Sequence, residues 1–335
     1  MPIRFGSIIE EHNCVRNAVG KFDVSHMGQI YLDGKDAEYL TNKLVSNNVT
    51  RLSDNQAQYA MITDDNGIIL DDTLVYRNSS ESFMFIPNAG HDEEMFLRWE
   101  HFRDKWDLDV TIKNSTNEIA MFAIQGPLAV DSIDALSPDS LSDLKRFTTT
   151  VTTISGITCT VSRTGYTGED GFELLLSSND AVTLWDALDF PSCGLGSRDT
   201  LRTEMGFLLS GQDFNHQTNP RTPFEAGVDF TVDLEQDFIG RDALLELHSQ
   251  ELSLNFIGFS LSERSIPRPG SAILNDIGEQ IGVVTSGTLS PTLDLPIGLG
   301  YVPPSYSSIG SSLQVAIRNS FKPATICSTP FINPQ

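Results

Sequence analysis

Apolar positions along this chain change period several times, and each change marks an element. In "DAEYLTNKLVSNNV", Tyr39 or Leu40 shares a helical face with Leu44, and Asn47-Asn48 ends the helix. "QAQYAMIT" and "DDTLVYR" read as strands around "DDNGI", where Asn66-Gly67 signals a hairpin turn. "ESFMFIPN" adds a strand, and "AGHDEEMFLRWEHFRDKW" is an amphipathic helix carrying Met95, Trp99 and Phe102 inward. This order predicts an α+β layer with antiparallel pairing.

The second half repeats the mixture. "ITCTVSR" and "GFELLLS" read as strands on either side of a glycine-rich turn, "SNDAVTLWDALDF" as a helix burying Val182, Trp185 and Leu188, and "GSRDTLRTEMGFLL" as another helix. After "DFIGRDALLELHSQELSLN" the pattern becomes "FIGFSL", "SAIL", "QIGVVT", "IGLGYV" and "LQVAI", five short strands separated by Pro, Gly, Asp and Ser. Such spacing predicts a small antiparallel barrel or sandwich. A boundary near residue 250 divides a body, 1–250, from a C-terminal unit, 251–335. No internal repeat or low-complexity segment is present.

Composition narrows the partners. The 335 residues, 39% apolar and 20% charged, suit two or three globular domains, and the net charge of -23 disfavours nucleic acid and anionic membranes. Cys14, Cys159, Cys193 and Cys327 form no CxxC pair, so neither a metal site nor a disulfide framework is expected. The start "MPIRFGSIIEEHNCV" has no long apolar run and no small-residue cleavage site, which predicts a cytoplasmic protein and makes the triplets at Asn48, Asn78 and Asn114 accidental.

No P-loop, dinucleotide fingerprint, HExxH or GxSxG occurs. The dense turn chemistry of "RTGYTGEDGFEL", Arg163 to Leu174, runs into a strand, which is the wrong context for a phosphate cradle. Glu169 and Asp170 in that turn are expected to meet water. Glu173 lies within an apolar strand, and a buried carboxylate there needs a pairing or hydrogen-bonding partner, such as a ligand offering a fork of N–H donors. Asp71 and Asp72 interrupt a second apolar run and point to opposite faces; they either end a hairpin strand in water, or one of them faces a pocket. Arg198 and Arg202 share a helical face, where surface salt bridges, Asp199 with Arg202 for instance, are the bland alternative.

The blocks "FDVSHMGQI", "GIILDDTLVYR", "AIQGPLA", "RTGYTGEDGFEL", "GLGSRDTLRTEMG", "TPFEAGV", "DFIGRDAL" and "VVTSGTLSPTLDLPIGLGYVPP" together resemble the T-protein family of the glycine cleavage system, tetrahydrofolate-dependent aminomethyltransferases, in the family's order and over nearly the whole chain. The resemblance implies a cloverleaf of two intertwined α+β lobes forming a folate-binding body, followed by an antiparallel β-barrel. It implies transfer of the methylene carbon from the aminomethyl-lipoyl arm of an H protein to tetrahydrofolate, with release of ammonia and no metal.

The family pattern assigns Asp72 to the reacting centre near the folate N5 and N10, where it would stabilise a developing iminium-like cation, and Glu173 to the pterin N–H groups. It sets Arg198 against the folate and lines the pocket with Met27, Tyr59, Asn88 and Tyr166. Asp71 and Arg202 are expected to be structural, and His26 to carry no chemistry. Arg221 in "NPRTPFEAG" reads either as part of a basic rim or as a turn-capping arginine.

The chain departs from the family pattern in places. It opens at "MPIRFGS", some twenty residues later than is usual, has Gly67-Ile68 where a double glycine is usual, and "LLSGQD" where "LYGHD" is usual. Folate-dependent demethylases of sulfonium compounds or methylated glycines share the fold and form the alternative reading. A folate-binding iron-sulfur assembly factor is the non-enzymatic one; the cysteine motif it normally carries is absent from "DFIGRDAL".

Overall fold

The structure, a computed structural model, describes residues 1–333. Pro334 and Gln335, the last residues of the expected 251–335 unit, lie outside the described residues. The chain begins with α1 (Ile8–Asn17), β1 (Gly20–Asp23), β2 (Ile30–Asp33), α2 (Ala37–Leu44), β3 (Gln56–Thr63), β4 (Ile69–Ser79), β5 (Ser82–Ile86), α3 (Asp92–Lys105) and β6 (Thr111–Asn114). It continues with β7 (Ile119–Gln125), α4 (Ala129–Asp134), β8 (Thr149–Ile154), β9 (Ile157–Ser162), β10 (Gly171–Ser177), α5 (Ala181–Ala187), α6 (Leu195–Met205) and α7 (Arg241–His248). Six strands follow: β11 (Asn255–Leu261), β12 (Ala272–Leu274), β13 (Gln280–Ser290), β14 (Leu295–Val302), β15 (Ser312–Ile317) and β16 (Ser320–Cys327).

Strand alternation sorts the body into layers. One sheet has the order β1-β7-β10-β9-β8 and the other β3-β4-β5-β2-β6, so the chain leaves the first sheet after β1 and returns to it at β7. The two lobes are therefore intertwined. On β7 and β10, Phe122, Ile124, Phe172, Leu174 and Leu176 pack under α4 and α5, while Met121, Ala123 and Leu175 point the other way. In the second sheet, Ile62, Val75, Phe83 and Phe85 face α2 and α3, while Ala57, Tyr76, Met84 and Ile86 join Met121 and Leu175 in a shared layer. Each sheet thus turns one face to its own helices and the other to its neighbour.

The C-terminal strands close into a barrel, β11-β14-β13-β12-β15-β16, all pairs antiparallel. Five of its strands match the expected apolar runs. The sixth, β16, was masked by Lys322-Pro323: Pro323 pairs only with Gln314 of β15, and the β11 partnership begins at Ala324, where no missing N–H is felt. Val182 is a second difference. It was expected inward but is 73% exposed, because the first turn is a short 3-10 segment and Leu184 takes the core position on α5.

Helix α6 joins body to barrel through buried charge. It stops at Gly206, whose φ of 71° is the left-handed cap conformation. Arg202, expected at the surface, is instead fully buried; its guanidinium donates to Asp199, the Phe207 carbonyl, Asp213 Oδ2 at 2.7 Å and Ser286 Oγ of β13 at 2.7 Å. Glu204 accepts from Arg16 of α1 at 2.9 Å, from Ser290 Oγ at 2.5 Å and from the Thr292 backbone at 3.2 Å, with His12 Nε2 3.3 Å away. Burial alone would raise the Glu204 carboxyl, but His12, Ser290 and Arg16 hold it at about 2 against the usual 4.5.

A carboxyl depressed on folding stabilises the native state above its unfolded value and loses that contribution as pH falls through the folded one. Here the window runs from about 4.5 down to about 2, and the contribution at neutral pH is roughly 3 kcal/mol. Glu204→Gln is therefore expected to lower the unfolding temperature clearly at pH 7, with the gap to wild type narrowing below pH 4.5 in a calorimetric series. An equal gap at pH 7 and pH 3 would contradict this account of the clamp.

Candidate active site

Tyr59 and Asp72 meet on the inter-sheet face because β3 and β4 pair Tyr59 with Leu74 and Met61 with Asp72. The Tyr59 hydroxyl donates to Asp72 Oδ2 at 2.6 Å. Strand β5 ends at Ile86, opposite Leu74, since Pro87 has no N–H to continue the ladder. That leaves the β4 edge at Asp71 and Asp72 open, and Asn88 folds over it. Asn88 Nδ2 lies 2.6 Å from Asp72 Oδ1, 2.9 Å from Asp71 Oδ1 and 3.0 Å from the Asp72 carbonyl, while the Asn88 backbone N–H donates to Asp71 Oδ2 at 2.9 Å.

Neither aspartate meets water as a strand end would; Asp71 is wholly buried and Asp72 nearly so. Burial, then the neighbouring Asp71 charge, push the Asp72 carboxyl up to about 7, against the pull of its bonds from Tyr59 and Asn88. The same burial and the Asp72 charge push the Tyr59 phenol well up, so it remains a proton donor in that bond.

Glu173 sits between Phe172 and Leu174 on β10, so alternation turns it away from the helices and towards the same inter-sheet face. Its Oε2 accepts from Thr164 Oγ1 at 2.5 Å, and its other oxygen accepts no hydrogen bond from the described residues. Burial raises its pKa, while Thr164 and the Arg198 charge offset part of the rise. Arg198, one helical turn before Arg202, holds its guanidinium 4.6 Å from the centre of the Tyr166 ring, and its Nη1 is buried without a partner. Tyr166 in turn donates to the Leu208 carbonyl and stacks on Phe207 at 5.7 Å.

The glycine-rich turn is built around Gln125. Its Nε2 reaches the Thr164 and Phe172 carbonyls, its Oε1 accepts from Thr167, and a Cβ on Gly165 would lie 1.9 Å from that Oε1. Only glycine fits there. Glu169, expected in water, is buried on Arg16 at 2.8 Å, and Asp170 pairs with Arg163 at 2.6 Å. Both acids of the turn are thus structural anchors rather than solvated tips.

Met27 packs, partly buried, on the inter-sheet cluster that also contains Tyr76 and Ile86. His26 has a buried Nδ1 with no partner, and burial followed by the Arg198 charge lowers its pKa. Arg221 is half-buried, with its guanidinium 4.4 Å above the Tyr301 ring and a bond to the Pro220 carbonyl. Sequence reasoning missed Thr164, which grips Glu173, Phe230, which stacks on Tyr59 at 6.4 Å, and His91, whose Nδ1 lies 3.1 Å from Asp71. Of these only Thr164 had a signal, its place two residues after the end of β9 and inside the conspicuous turn.

Comparison with known proteins identifies the family and the fold. The family model of the GCVT N-terminal domain matches residues 1–236, and that of the glycine cleavage T-protein C-terminal barrel domain matches residues 255–333. A probable aminomethyltransferase of Halobacterium salinarum is 50% identical over 99% of this chain and 93% of its own length. An aminomethyltransferase of Halothermothrix orenii is 41% identical, with the same coverage. The crystal structure of glycine cleavage system aminomethyltransferase T from Bartonella henselae superposes with a TM-score of 0.91 at 28% identity, covering 98% of this chain and 90% of that one. With both halves matched and the fold shared end to end, the chain belongs to the glycine cleavage T-protein, or aminomethyltransferase, family.

Proposed function

We propose that the protein is a tetrahydrofolate-dependent aminomethyltransferase that takes the one-carbon unit from an aminomethyl-lipoyl H protein, passes it to tetrahydrofolate and releases ammonia. The observation that carries this reading is the complementary set left open at one inter-sheet site: an acceptor on Glu173, a donor on Arg198 Nη1, and a carboxyl poised near neutrality at Asp72. The three are electrostatic neighbours, since the charges of Asp72 and Arg198 both act on Tyr166, and those of Arg198 and Glu173 act on each other.

A reduced pterin fits that set. Its adjacent N–H groups match the free oxygen of Glu173, its flat ring suits the Tyr59 and Tyr166 side chains, and a carboxylated tail would meet the unpartnered Arg198 guanidinium. Residues 1–250 would then form the binding body and 251–335 the barrel that braces it. Folate supplies the two amines, N5 and N10, that receive the carbon. On the protein side, Asp72 as a carboxylate would stabilise positive charge on the transferring carbon and accept a proton from the attacking amine, while Tyr59 and Asn88 fix its oxygens. The donor's C–N bond breaks with ammonia leaving, its C–S bond breaks with the thiol restored, and the two N–H protons of the acceptor balance the products.

Asp72→Asn is expected to keep folate affinity within a few fold while turnover falls by about 10²–10⁴. Because a carboxyl raised on folding costs the native state progressively as pH climbs from the ordinary 3.8 to about 7, and by a constant amount above that, the same substitution should also raise the unfolding temperature at pH 7 and above, with the gain vanishing below about pH 4. Ammonia release from aminomethylated H protein, followed together with methylene-tetrahydrofolate, is the direct assay. Equal turnover losses in Asp71→Asn would break the assignment of Asp72, and no turnover in wild type, with demethylation of a sulfonium compound instead, would replace the reading.

Glu173→Gln leaves Thr164 a partner but sets an amide N–H₂ where the pterin also donates. Calorimetry should show folate binding weakened by on the order of 1–3 kcal/mol with the fold unchanged by circular dichroism. Unaltered affinity would return Glu173 to a purely structural role.

A further inference from the structure

Asp71 raises the question of why a second carboxylate is buried beside the first. It lies on the helix side of β4, wholly buried, and its charge helps lift Asp72. Both of its oxygens are held by Asn88, through the backbone N–H at 2.9 Å and the side-chain amide at 2.9 Å. That same amide reaches Asp72 at 2.6 Å, so one side chain bridges the two acids across the strand edge.

A cation completes the group. His91 precedes the first residue of α3, its backbone N–H donates to the Asn88 carbonyl at 3.0 Å, and its Nδ1 stands 3.1 Å from Asp71 Oδ1. The ring contact is ionic rather than an aligned hydrogen bond. Its side chain is 26% exposed, whereas the Asp71 side chain is fully covered, so it links the acids to solvent. The close contact and charge of Asp71 raise the His91 pKa against the effect of burial, with Glu94 and Asp72 adding to the rise. The other titratable groups acting on Asp72 are the Tyr59 and Tyr166 phenols, both pushed up by burial and therefore neutral.

We propose that His91 is a positioning residue for Asp72: as an imidazolium it neutralises Asp71 and seats it on Asn88, which keeps the bridging amide on Asp72 and leaves the site one net negative charge. Two buried carboxylates a strand step apart cannot both ionise cheaply without such a counter-charge. The inference rests on the reading of Asp72 as the acid-base group, but its physical content, the ionisation of Asp72, is measurable without turnover.

The test is a carbon-13 NMR titration of aspartate-labelled full-length protein, with the Asp72 signal assigned by its loss in Asp72→Asn. His91→Gln should move the Asp72 midpoint upward by about half to one pH unit, and Asp71→Asn should move it downward. His91→Gln added to Asp71→Asn should have a clearly smaller effect than in wild type, and His91→Arg, a permanent cation, should keep the midpoint at or below that of wild type. An unmoved midpoint in His91→Gln, or the same upward shift in His91→Arg, would overturn the proposal. The acid limb of the turnover profile should follow the midpoint in His91→Gln. Midpoints that shift as expected in a protein that transfers no carbon to tetrahydrofolate would support the His91 role and overturn the functional reading instead.

Discussion

Everything at the site depends on burying the guanidinium of Arg202. A buried cation is costly unless its donors are met, and Arg202 draws its acceptors from three places: its own helix turn, Asp213 in the segment after it, and Ser286 in the barrel. Asp213 is satisfied in turn by Thr285 and Ser286 on one oxygen and by Arg202 and the Leu209 N–H on the other. This closed network fixes the rotation of α6 about its axis. Arg198, four residues earlier and one turn up the helix, is then held over Tyr166 without a hydrogen bond of its own. The barrel contributes no proposed substrate contact here. Its role is to brace the helix that presents one.

The site itself runs against stability. Asp71 and Asp72 share one asparagine, Glu173 keeps an unused oxygen, and Arg198 keeps an unused donor, each a desolvated group with fewer partners than it could have. The surrounding network differs: Glu204 and Asp213 have both oxygens bonded and an arginine at 2.7–2.9 Å, and Glu169 holds Arg16 at 2.8 Å. Acids at the site and acids of the frame occur in equally buried settings, and what separates them is whether an arginine is bonded directly to them. An enzyme needs that contrast, because incomplete satisfaction in the free protein leaves interactions to be gained with the substrate.

Much of this was legible in the sequence. Strand alternation placed Glu173 opposite its apolar neighbours and put Asp71 and Asp72 on different faces, and the helix and strand periods located α2, α3, α5, α6 and the strands β3, β4, β5, β9 and β10, while α1, α4, β1, β2, β6, β7 and β8 went unread. Apart from Val182, displaced by a local 3-10 turn, the misreadings share one cause, which is that partners distant in sequence were invisible. Glu169 looked solvated because Arg16 lies 153 residues away, Arg202 looked superficial because Ser286 is 84 residues on, and β16 vanished because Pro323 is harmless only in the pairing the barrel gives it. His91 was missed for a related reason: nothing in "NAGHDEE" shows that the chain turns back at Asn88 onto the open edge of β4.

The placement of arginines also bears on how a carrier protein could reach the site. The net charge of -23 already makes long-range attraction of an acidic partner unfavourable. The structure sharpens this, because Arg16 and Arg202 are spent inside on acids, Arg163 is largely covered on Asp170, and the Arg221 guanidinium lies against Tyr301. With these arginines engaged, few cations are left to form a basic rim at the site. Under the proposed function, association with a lipoyl carrier would then draw on short-range contacts near the mouth of the site. Phe230, 71% exposed and stacked on Tyr59 beside Asp72, is an apolar surface in the right place. A long aliphatic lipoyl arm gains from such a surface at any ionic strength, whereas charge steering would be screened beyond roughly 8 Å under physiological salt.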